Sequence, residues 1–254
     1  MRTKVIGGVA VCVVVLAGAD AFGLSRRDTS SDTAVAGPGS SAPQVSPTVP
    51  STTTSTTVLV TTTTTLPAAE PGASGPDVAL LQQRLIDLGF WLPQADGNYD
   101  ADTRHAVVAF QKANGLEPDG VARASTVEAL ANAARPTPRS TVGTVMEVDL
   151  TRQVLLLAVD GRVEWTFDAS TGRVAGTTPV GDFKVYRQVN GNDHGPLGTL
   201  YRPKYFVRGV AVHGFSSVPS RPASHGCVRV TDAVMDWIWA NDAMPIGTAV
   251  TVYR

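Results

Sequence analysis

The chain has 254 residues, a formal net charge of −1 and a charged fraction of 17%. A net charge so close to zero gives no field that would draw nucleic acid or an anionic membrane surface, so neither is an expected partner of the folded part. With only two cysteines there is no disulfide framework, and the one or two domains that this length allows must be held together by packing.

An apolar segment follows Arg2 and Lys4 and runs from Val5 to Ala19, where it ends in the small-x-small tripeptide Ala19-Asp20-Ala21. This order is typical of a signal peptide. The segment also approaches the length of a membrane span, so a retained anchor is the alternative. Either way, residues 1–24 are predicted to direct the rest of the chain to the cell envelope, as a secreted or as an anchored protein.

Residues 25–74 are rich in Thr, Ser and Pro and carry few charges. Such a composition buries too little apolar surface to offset the entropy lost on ordering, so we predict a disordered linker. The linker is either a passive spacer or a tether that lets the folded domains search a polymer near the membrane.

A helical pattern begins at about residue 75 and continues to residue 135. Its first apolar residues recur at three- and four-residue spacing and predict a core-facing helix that ends at Gly89: Val78, Leu81, Leu85 and Leu88. One histidine of this region, His105, has no evident partner in the sequence and is expected at the surface.

A short motif occurs twice in this region. Asp96-Gly97 and Asp119-Gly120 are each followed, six residues after the glycine, by a threonine, Thr103 or Thr126. Each Asp-Gly predicts a turn in which glycine supplies a positive φ. Each threonine is predicted to open a short helix, with its hydroxyl satisfying free amides there.

These features together resemble the peptidoglycan-binding-domain-1-like family. The matching residues are Leu81-Gln82, Leu85, Leu88-Gly89, Asp96-Gly97, Thr103, Ala106-Val107, Phe110-Gln111, Gly115-Leu116, Asp119-Gly120 and Thr126. The resemblance implies that residues 75–135 form a small three-helix bundle that binds cell-wall glycopeptide. A helical docking bundle without a ligand of its own is the alternative.

After Arg135–Pro138, a predicted stiff hinge, the chain turns to segments rich in β-branched residues. Strands are predicted at residues 145–148, 154–159, 163–167, 181–189, 207–213 and 247–253. Asp160-Gly161 predicts a hairpin, and Asn190–Leu200 is a polar loop that is a candidate flap over a site. Thr231–Asn241 predicts one helix with its cap at Thr231-Asp232. Residues 142–254 are therefore predicted to form a mostly-β domain with one main helix.

The folded part carries a single thiol, Cys227, which marks a candidate reactive group in an exported protein. A free thiol has a pKa of about 8.5, and a nearby imidazole such as His213 can take its proton and form an ion pair with it. Gly226 allows the backbone to turn so that the amides of Gly226 and Cys227 face a developing oxyanion. Arg229 lies two residues further on, where its guanidinium suits a substrate carboxylate.

The pattern of His213-Gly214 followed by Ser224-His225-Gly226-Cys227-Val228-Arg229 resembles the signature of the L,D-transpeptidase catalytic domain. Supporting matches are Thr178–Gly181, Tyr201–Pro203 and Gly247–Val250, and the resemblance covers about residues 142 to 254. It implies an L,D-transpeptidase sandwich with Cys227 as nucleophile and His213 as general acid and base.

The same resemblance implies that Ser224, His225 and Gly226 shape the oxyanion site and that Arg229 contributes to substrate binding. Gly214 belongs to the signature but has no side chain, so a backbone carbonyl or another group must orient His213.

The reaction that the resemblance implies has two steps. The thiolate attacks a peptidoglycan stem tetrapeptide, D-alanine leaves, and a thioester forms. An amine of a neighbouring stem then takes the acyl group in a 3→3 cross-link, with no cofactor. Carbapenems are the expected inhibitors.

Three other functions remain open. Cys227, His213 and His225 are candidate zinc ligands, but this set is one short of a closed site, so no metal is expected. A cysteine peptidase would usually place its cysteine before its histidine, and the third candidate is a wall-binding protein without catalysis. Within the loop, Ser224 and His225 are also consistent with a purely structural role, and Arg229 with a plain surface charge.

Overall fold

The computed structural model describes residues 66–254. The predicted signal or anchor at residues 1–24, and the linker up to residue 65, lie outside the described residues. Every helix within residues 66–254 is too short or too polar to cross a bilayer.

Three helices occupy the first part of the described chain: α1 Pro76–Asp87, α2 Ala101–Ala113 and α3 Ala124–Asn132. They share one apolar core, in which Phe90 meets Phe110 edge to face at 5.3 Å between ring centroids. The core also contains all four residues of the predicted apolar stripe. The spacing of those residues therefore identified the buried face of α1.

The two threonines do not cap these helices. At the start of α2 the capping group is the Asp100 side chain, which accepts from the Thr103 amide at 2.9 Å, and α3 has no side-chain cap. The threonine hydroxyls are used elsewhere, because a buried glutamine binds each of them.

The first of these glutamines, Gln82, organises the first Asp-Gly turn. Its Nε2 donates to Asp96 Oδ1 at 3.0 Å, to Asn98 O at 3.0 Å and to Thr103 Oγ1 at 2.8 Å. Its Oε1 accepts from the Gly97 amide at 2.7 Å. One buried amide group therefore satisfies the turn and joins it to two helices.

Gln111 repeats this arrangement at the second turn. Its Nε2 donates to Asp119 Oδ1, Val121 O and Thr126 Oγ1 at 3.0, 3.1 and 3.2 Å, and its Oε1 accepts from the Gly120 amide at 2.9 Å. The sequence repeat is thus the visible part of a repeated hydrogen-bond cluster around a buried glutamine.

Replacing Gln82 with leucine is expected to lower the free energy of unfolding by about 1–3 kcal/mol, because the Gly97 amide then stays buried without a partner. The matched control is Gln83→Leu, since Gln83 is exposed and contacts only Asp87. Urea denaturation monitored by circular dichroism measures both variants. Equal losses in the two would show that the buried cluster contributes nothing specific.

The segment just before α1 also belongs to the helical module, although its composition places it in the predicted linker. Ala69 pairs with Ala122 through hydrogen bonds in both directions, at 3.0 and 2.9 Å. Ser74 forms a second bridge, with Asn98. Backbone pairing orders this stretch, and pairing of that kind does not depend on apolar side chains.

The remainder of the described chain is mostly β. Its elements in chain order are β1 Thr144–Asp149, β2 Val154–Val159, β3 Arg162–Asp168, β4 Gly181–Lys184, β5 Arg187–Gln188, β6 Asn192–Gly195, β7 Gly198–Val207, β8 Val210–Gly214, β9 Val228–Val230, α4 Asp232–Ala240 and β10 Ala249–Tyr253. One sheet has the order β3-β2-β1-β10-β4. The other has the order β5-β7-β8-β9, with β6 added to β7.

Several sequence predictions are confirmed here. Asp160 and Gly161 both have positive φ, 47° and 81°, in the hairpin between β2 and β3, as a two-residue turn of this type requires. The Thr231 hydroxyl caps α4 by accepting from the Val234 amide at 3.2 Å.

The strand predicted at residues 181–189 is divided, because β4 pairs with β10 in one sheet and β5 with β7 in the other.

The helical module packs directly on β3. The Trp91 amide donates to Thr166 O at 3.1 Å, the Thr166 amide donates to Gly89 O at 2.6 Å, and the Trp91 ring enters the core of the β domain. Arg135, the first residue of the predicted hinge, donates to Glu164 O at 2.9 Å and to Asp87 O at 2.8 Å. The hinge is therefore fastened to both modules at its first residue.

The expectation of a surface histidine at position 105 is wrong. His105 Nδ1 lies 2.6 Å from Asp168 Oδ2, and the side chain is 17% exposed. His105 is partly buried because α2 packs on the end of β3, and the local sequence does not indicate this long-range contact.

Candidate active site

Two parallel strands set the geometry of the candidate active site. Strands β8 and β9 pair so that Val212 faces Val228 and His213 faces Arg229. Cys227 is the residue immediately before β9. His213 and Cys227 line the same cleft, which has a volume of about 270 Å³. The structure therefore brings together the imidazole and the thiol that the sequence singled out.

The imidazole of His213 is held in one orientation. Its Nδ1 lies 2.8 Å from the carbonyl oxygen of Gly214, and the residue is 2% exposed. Because a carbonyl oxygen only accepts, Nδ1 carries the proton and Nε2 keeps its lone pair. The group that orients His213 is thus a backbone carbonyl, one of the two possibilities that the glycine at 214 left open.

Burial lowers the pKa of His213 to about 4, against a smaller raising effect of the Gly214 carbonyl, and the charge of Arg229 lowers it further. The imidazole is therefore neutral at neutral pH and available as a base.

Cys227 is a free, partly exposed thiol whose Sγ lies 3.8 Å from Gly209 O. Burial raises the pKa of this thiol, while the backbone at Ala211 and the charge of Arg229 act in the opposite direction. Both shifts favour the neutral forms, so the resting pair is a thiol and an imidazole rather than a thiolate and an imidazolium.

Ser224 orders the loop before the thiol. It is 1% exposed, its Oγ donates to Cys227 O at 2.6 Å, and the same oxygen accepts from the Gly226 amide at 3.0 Å. The Gly226 amide is therefore already hydrogen-bonded within the loop, and its part in an oxyanion site stays a prediction. A buried serine hydroxyl competes successfully for that amide.

Gly226 has a backbone conformation that favours glycine, with φ +143°. A Cβ at this position would lie 2.7 Å from Thr177 O. The Gly226 carbonyl in turn accepts from Thr178 Oγ1 at 2.7 Å. The residue is thus confined from two sides, and the path of the chain into Cys227 depends on it.

Gly226→Ala is expected to cost about 1–3 kcal/mol of stability from backbone strain, with further loss from the collision with Thr177 O, and to slow reaction at Cys227. Gly176→Ala is the control, because Gly176 also has a positive φ, +85°, but a Cβ there meets nothing within 4 Å. Thermal unfolding and the rate of thiol alkylation test the pair. A Gly226 variant that behaves like the Gly176 variant would show that the collision is relieved without cost.

The remaining predicted site residues differ in their surroundings. Arg229 places its Cζ 4.0 Å above the Phe215 ring, and its Nε is buried without a hydrogen-bond partner among the described residues. It lines the cleft of Cys227, which argues against a plain surface charge. His225 is exposed and also lines that cleft. Gly214 contributes its backbone carbonyl. A larger residue would not fit there, because a Cβ would lie 2.5 Å from Asp232 Oδ1.

A second cleft, of about 460 Å³, also opens at Cys227. One of its walls is the hairpin of β6 and β7, which occupies most of the predicted flap. On this same wall Asp193 of β6 accepts from Tyr205 Oη of β7 at 2.7 Å and pairs with Arg187 of β5 at 2.9 Å. Hydrogen bonding from Tyr205, followed by the charge of Arg187, lowers the pKa of Asp193. No motif marks these three residues, and sequence reasoning missed them.

Among residues 66–254, no three His, Cys, Asp or Glu side chains come close enough together to hold a metal ion.

Comparison with known proteins gives matches in both modules. Residues 74–130 match the family described as a putative peptidoglycan binding domain, and residues 143–252 match the L,D-transpeptidase catalytic domain. A crystal structure of an L,D-transpeptidase from Xylanimonas cellulosilytica is 50% identical in sequence, with a TM-score of 0.70. The match covers 74% of this chain and 98% of that one.

Curated relatives match smaller parts. The putative L,D-transpeptidase YkuD of Bacillus subtilis is 28% identical over 109 residues, which is 42% of this chain and 64% of that protein. A probable N-acetylmuramoyl-L-alanine amidase of Bacillus licheniformis is 48% identical over 64 residues, 24% of this chain. The match spans only 18% of the amidase, less than a fifth of its length.

Proposed function

The chain belongs to the L,D-transpeptidase family, and we propose on that premise that it cross-links peptidoglycan through a thioester on Cys227. The observation that carries the mechanism is the position of the His213 imidazole, held by Gly214 O in the cleft that Cys227 also lines. Its free Nε2 is the base that this chemistry needs at a thiol whose own pKa is raised.

The first step transfers the Cys227 proton to His213 Nε2 while the sulfur attacks the carbonyl that precedes the terminal D-alanine of a stem tetrapeptide. The carbon–nitrogen bond then breaks, D-alanine leaves with the proton from His213, and a thioester remains. Arg229 lines the same cleft as Cys227 and stabilises the negative charge that develops on the sulfur, since its own charge acts to lower the pKa of the thiol against the larger raising effect of burial. We assign the oxyanion contact to the Cys227 amide, because Ser224 Oγ already holds the Gly226 amide.

The second step needs an amine acceptor at the same carbonyl. The acceptor amine loses a proton to His213, attacks the thioester and releases the sulfur, which gives a 3→3 cross-link when the acceptor is a neighbouring stem. The two clefts that meet at Cys227 suit a reaction with two peptide substrates. Arg229 in the first cleft provides a positive charge for a substrate carboxylate.

The helical module fits this function as a three-helix peptidoglycan-binding bundle that keeps the catalytic domain on the wall. Peptidoglycan lies outside the cytoplasm, so residues 1–24 would act as the signal or anchor and residues 25–65 as the tether. Carbapenems, which acylate active-site nucleophiles, would modify Cys227.

Purified disaccharide tetrapeptide tests the proposal. We expect a cross-linked dimer and one free D-alanine per cross-link, and neither product with the Cys227→Ala variant. Cleavage within the stem without release of D-alanine would instead identify a peptidase. Binding to sacculi with no change in the muropeptides would identify a wall-binding protein without catalysis.

A further inference from the structure

A five-residue segment at the end of β3, residues 168–172, holds the catalytic loop in place. We call this segment the bracket. Thr171 O accepts from the Ser224 amide at 2.9 Å. Ser170 and Arg229 exchange two backbone hydrogen bonds, at 3.0 and 2.9 Å. The bracket therefore fixes the loop on both sides of Cys227.

The other end of the bracket is held by the helical module. Lys112 of α2 has a side chain that is 3% exposed, and its Nζ donates to Asp168 Oδ1 at 2.5 Å and to Ala169 O at 2.8 Å. The second oxygen of Asp168 is 2.6 Å from His105 Nδ1, also on α2. Two side chains of the helical module thus grip the first residue of the bracket.

A second route joins Lys112 to the same loop. Its Nζ donates to Gln153 O at 3.2 Å. The Gln153 side chain in turn binds Thr171 twice. Its Nε2 donates to Thr171 Oγ1 at 2.7 Å, and its Oε1 accepts from the Thr171 amide at 2.8 Å. Thr171 is the bracket residue that accepts from Ser224. Every link in this chain is buried or partly buried.

The buried ion pair is a costly way to hold two modules together. Removing an ammonium and a carboxylate from water costs several kcal/mol per ion, and well-packed apolar residues often do as well or better. Hydrogen bonds to a carboxylate and to two carbonyls, however, fix the position of Lys112 in a way that apolar contacts do not.

We propose that Lys112 and Asp168 are positioning residues for acyl transfer. Through this contact the helical module helps to hold the catalytic loop in its active arrangement. The inference rests on the proposed reaction at Cys227. Without the pair, the bracket shifts, Ser224 and Arg229 shift with it, and Cys227 loses its alignment with His213. A displacement of about 1 Å in such a constellation lowers rates by as much as 100-fold.

The test uses the full-length protein and a carbapenem, with acylation followed by intact-protein mass spectrometry. Lys112→Met is expected to lower the first-order acylation constant by about 10- to 100-fold while the dissociation constant of the non-covalent complex changes little. Binding of the variant to purified sacculi should equal that of the wild type, which shows that the helical module is intact. Asp168→Asn keeps the shape of the side chain and should also lower the acylation constant. If Lys112→Met does not fold, this second variant tests the proposal.

The matched control is Lys184→Met, because Lys184 is an exposed lysine at the end of β4. Its acylation constant should equal that of the wild type. A folded Lys112 or Asp168 variant that is acylated within threefold of the wild-type rate would overturn the inference and leave the proposed function standing. A wild type that is not acylated at all would overturn the proposed function itself.

Discussion

Replacing Cys227 with alanine is expected to abolish cross-linking, with a fall in rate on the order of 10⁴- to 10⁶-fold, the range seen when one member of a catalytic triad is removed. The sulfur is the atom that carries the acyl group, and no other thiol lies within residues 66–254. Release of D-alanine from a stem tetrapeptide measures the effect.

The control for this variant is the only other cysteine of the chain, Cys12. Cys12 lies in the predicted signal or anchor, so Cys12→Ala should retain the full rate. Substantial D-alanine release by the Cys227→Ala protein would contradict the assignment of the nucleophile.

Replacing His213 with glutamine is expected to lower the rate by about 10²- to 10⁴-fold, the usual contribution of a positioned acid and base. Glutamine approximates the size of the imidazole but cannot take the Cys227 proton or return it to D-alanine. Single-turnover acylation by a carbapenem measures the loss. A His213→Gln protein that is acylated at the wild-type rate would contradict the assignment of the base.

The pH dependence of the wild type follows from the neutral state of His213. Burial sets its pKa at about 4, below the ordinary value of 6.5, so protonation removes the base only when the pH falls towards 4. The acylation rate should therefore remain level from neutral pH to about pH 5 and then fall. A midpoint near 6.5 would mean that the imidazole is solvated or paired with a negative charge, which contradicts the buried arrangement.

Local patterns predicted much of this protein. The apolar stripe of α1, the hairpin at Asp160-Gly161 and the cap of α4 at Thr231 are set by residues close together in the chain, and all three are confirmed. The pair of Cys227 and His213 was also visible, because few residue types perform nucleophilic catalysis. Each of these predictions depends either on residues that are close together in the sequence or on residue types that few functions use.

Contacts between distant residues were not visible. Gln82 and Gln111 matched a family pattern, yet their role depends on turns that fold back onto them. The grip of Lys112 on Asp168 joins residues 56 positions apart, and no local feature of either residue indicates a partner. The use of the Gly226 amide by Ser224 shows the same limit on a smaller scale, because the sequence does not show that a hydroxyl two residues away binds this amide.

The decisive measurement is rapid acid quenching during turnover of a stem tetrapeptide, followed by mass spectrometry of the protein. We expect a transient adduct on the peptide that contains Cys227, with the mass of the stem without its terminal D-alanine. It should form together with a burst of one D-alanine per protein molecule. Cross-linked product that accumulates while Cys227 stays unmodified at every time point would contradict the thioester mechanism.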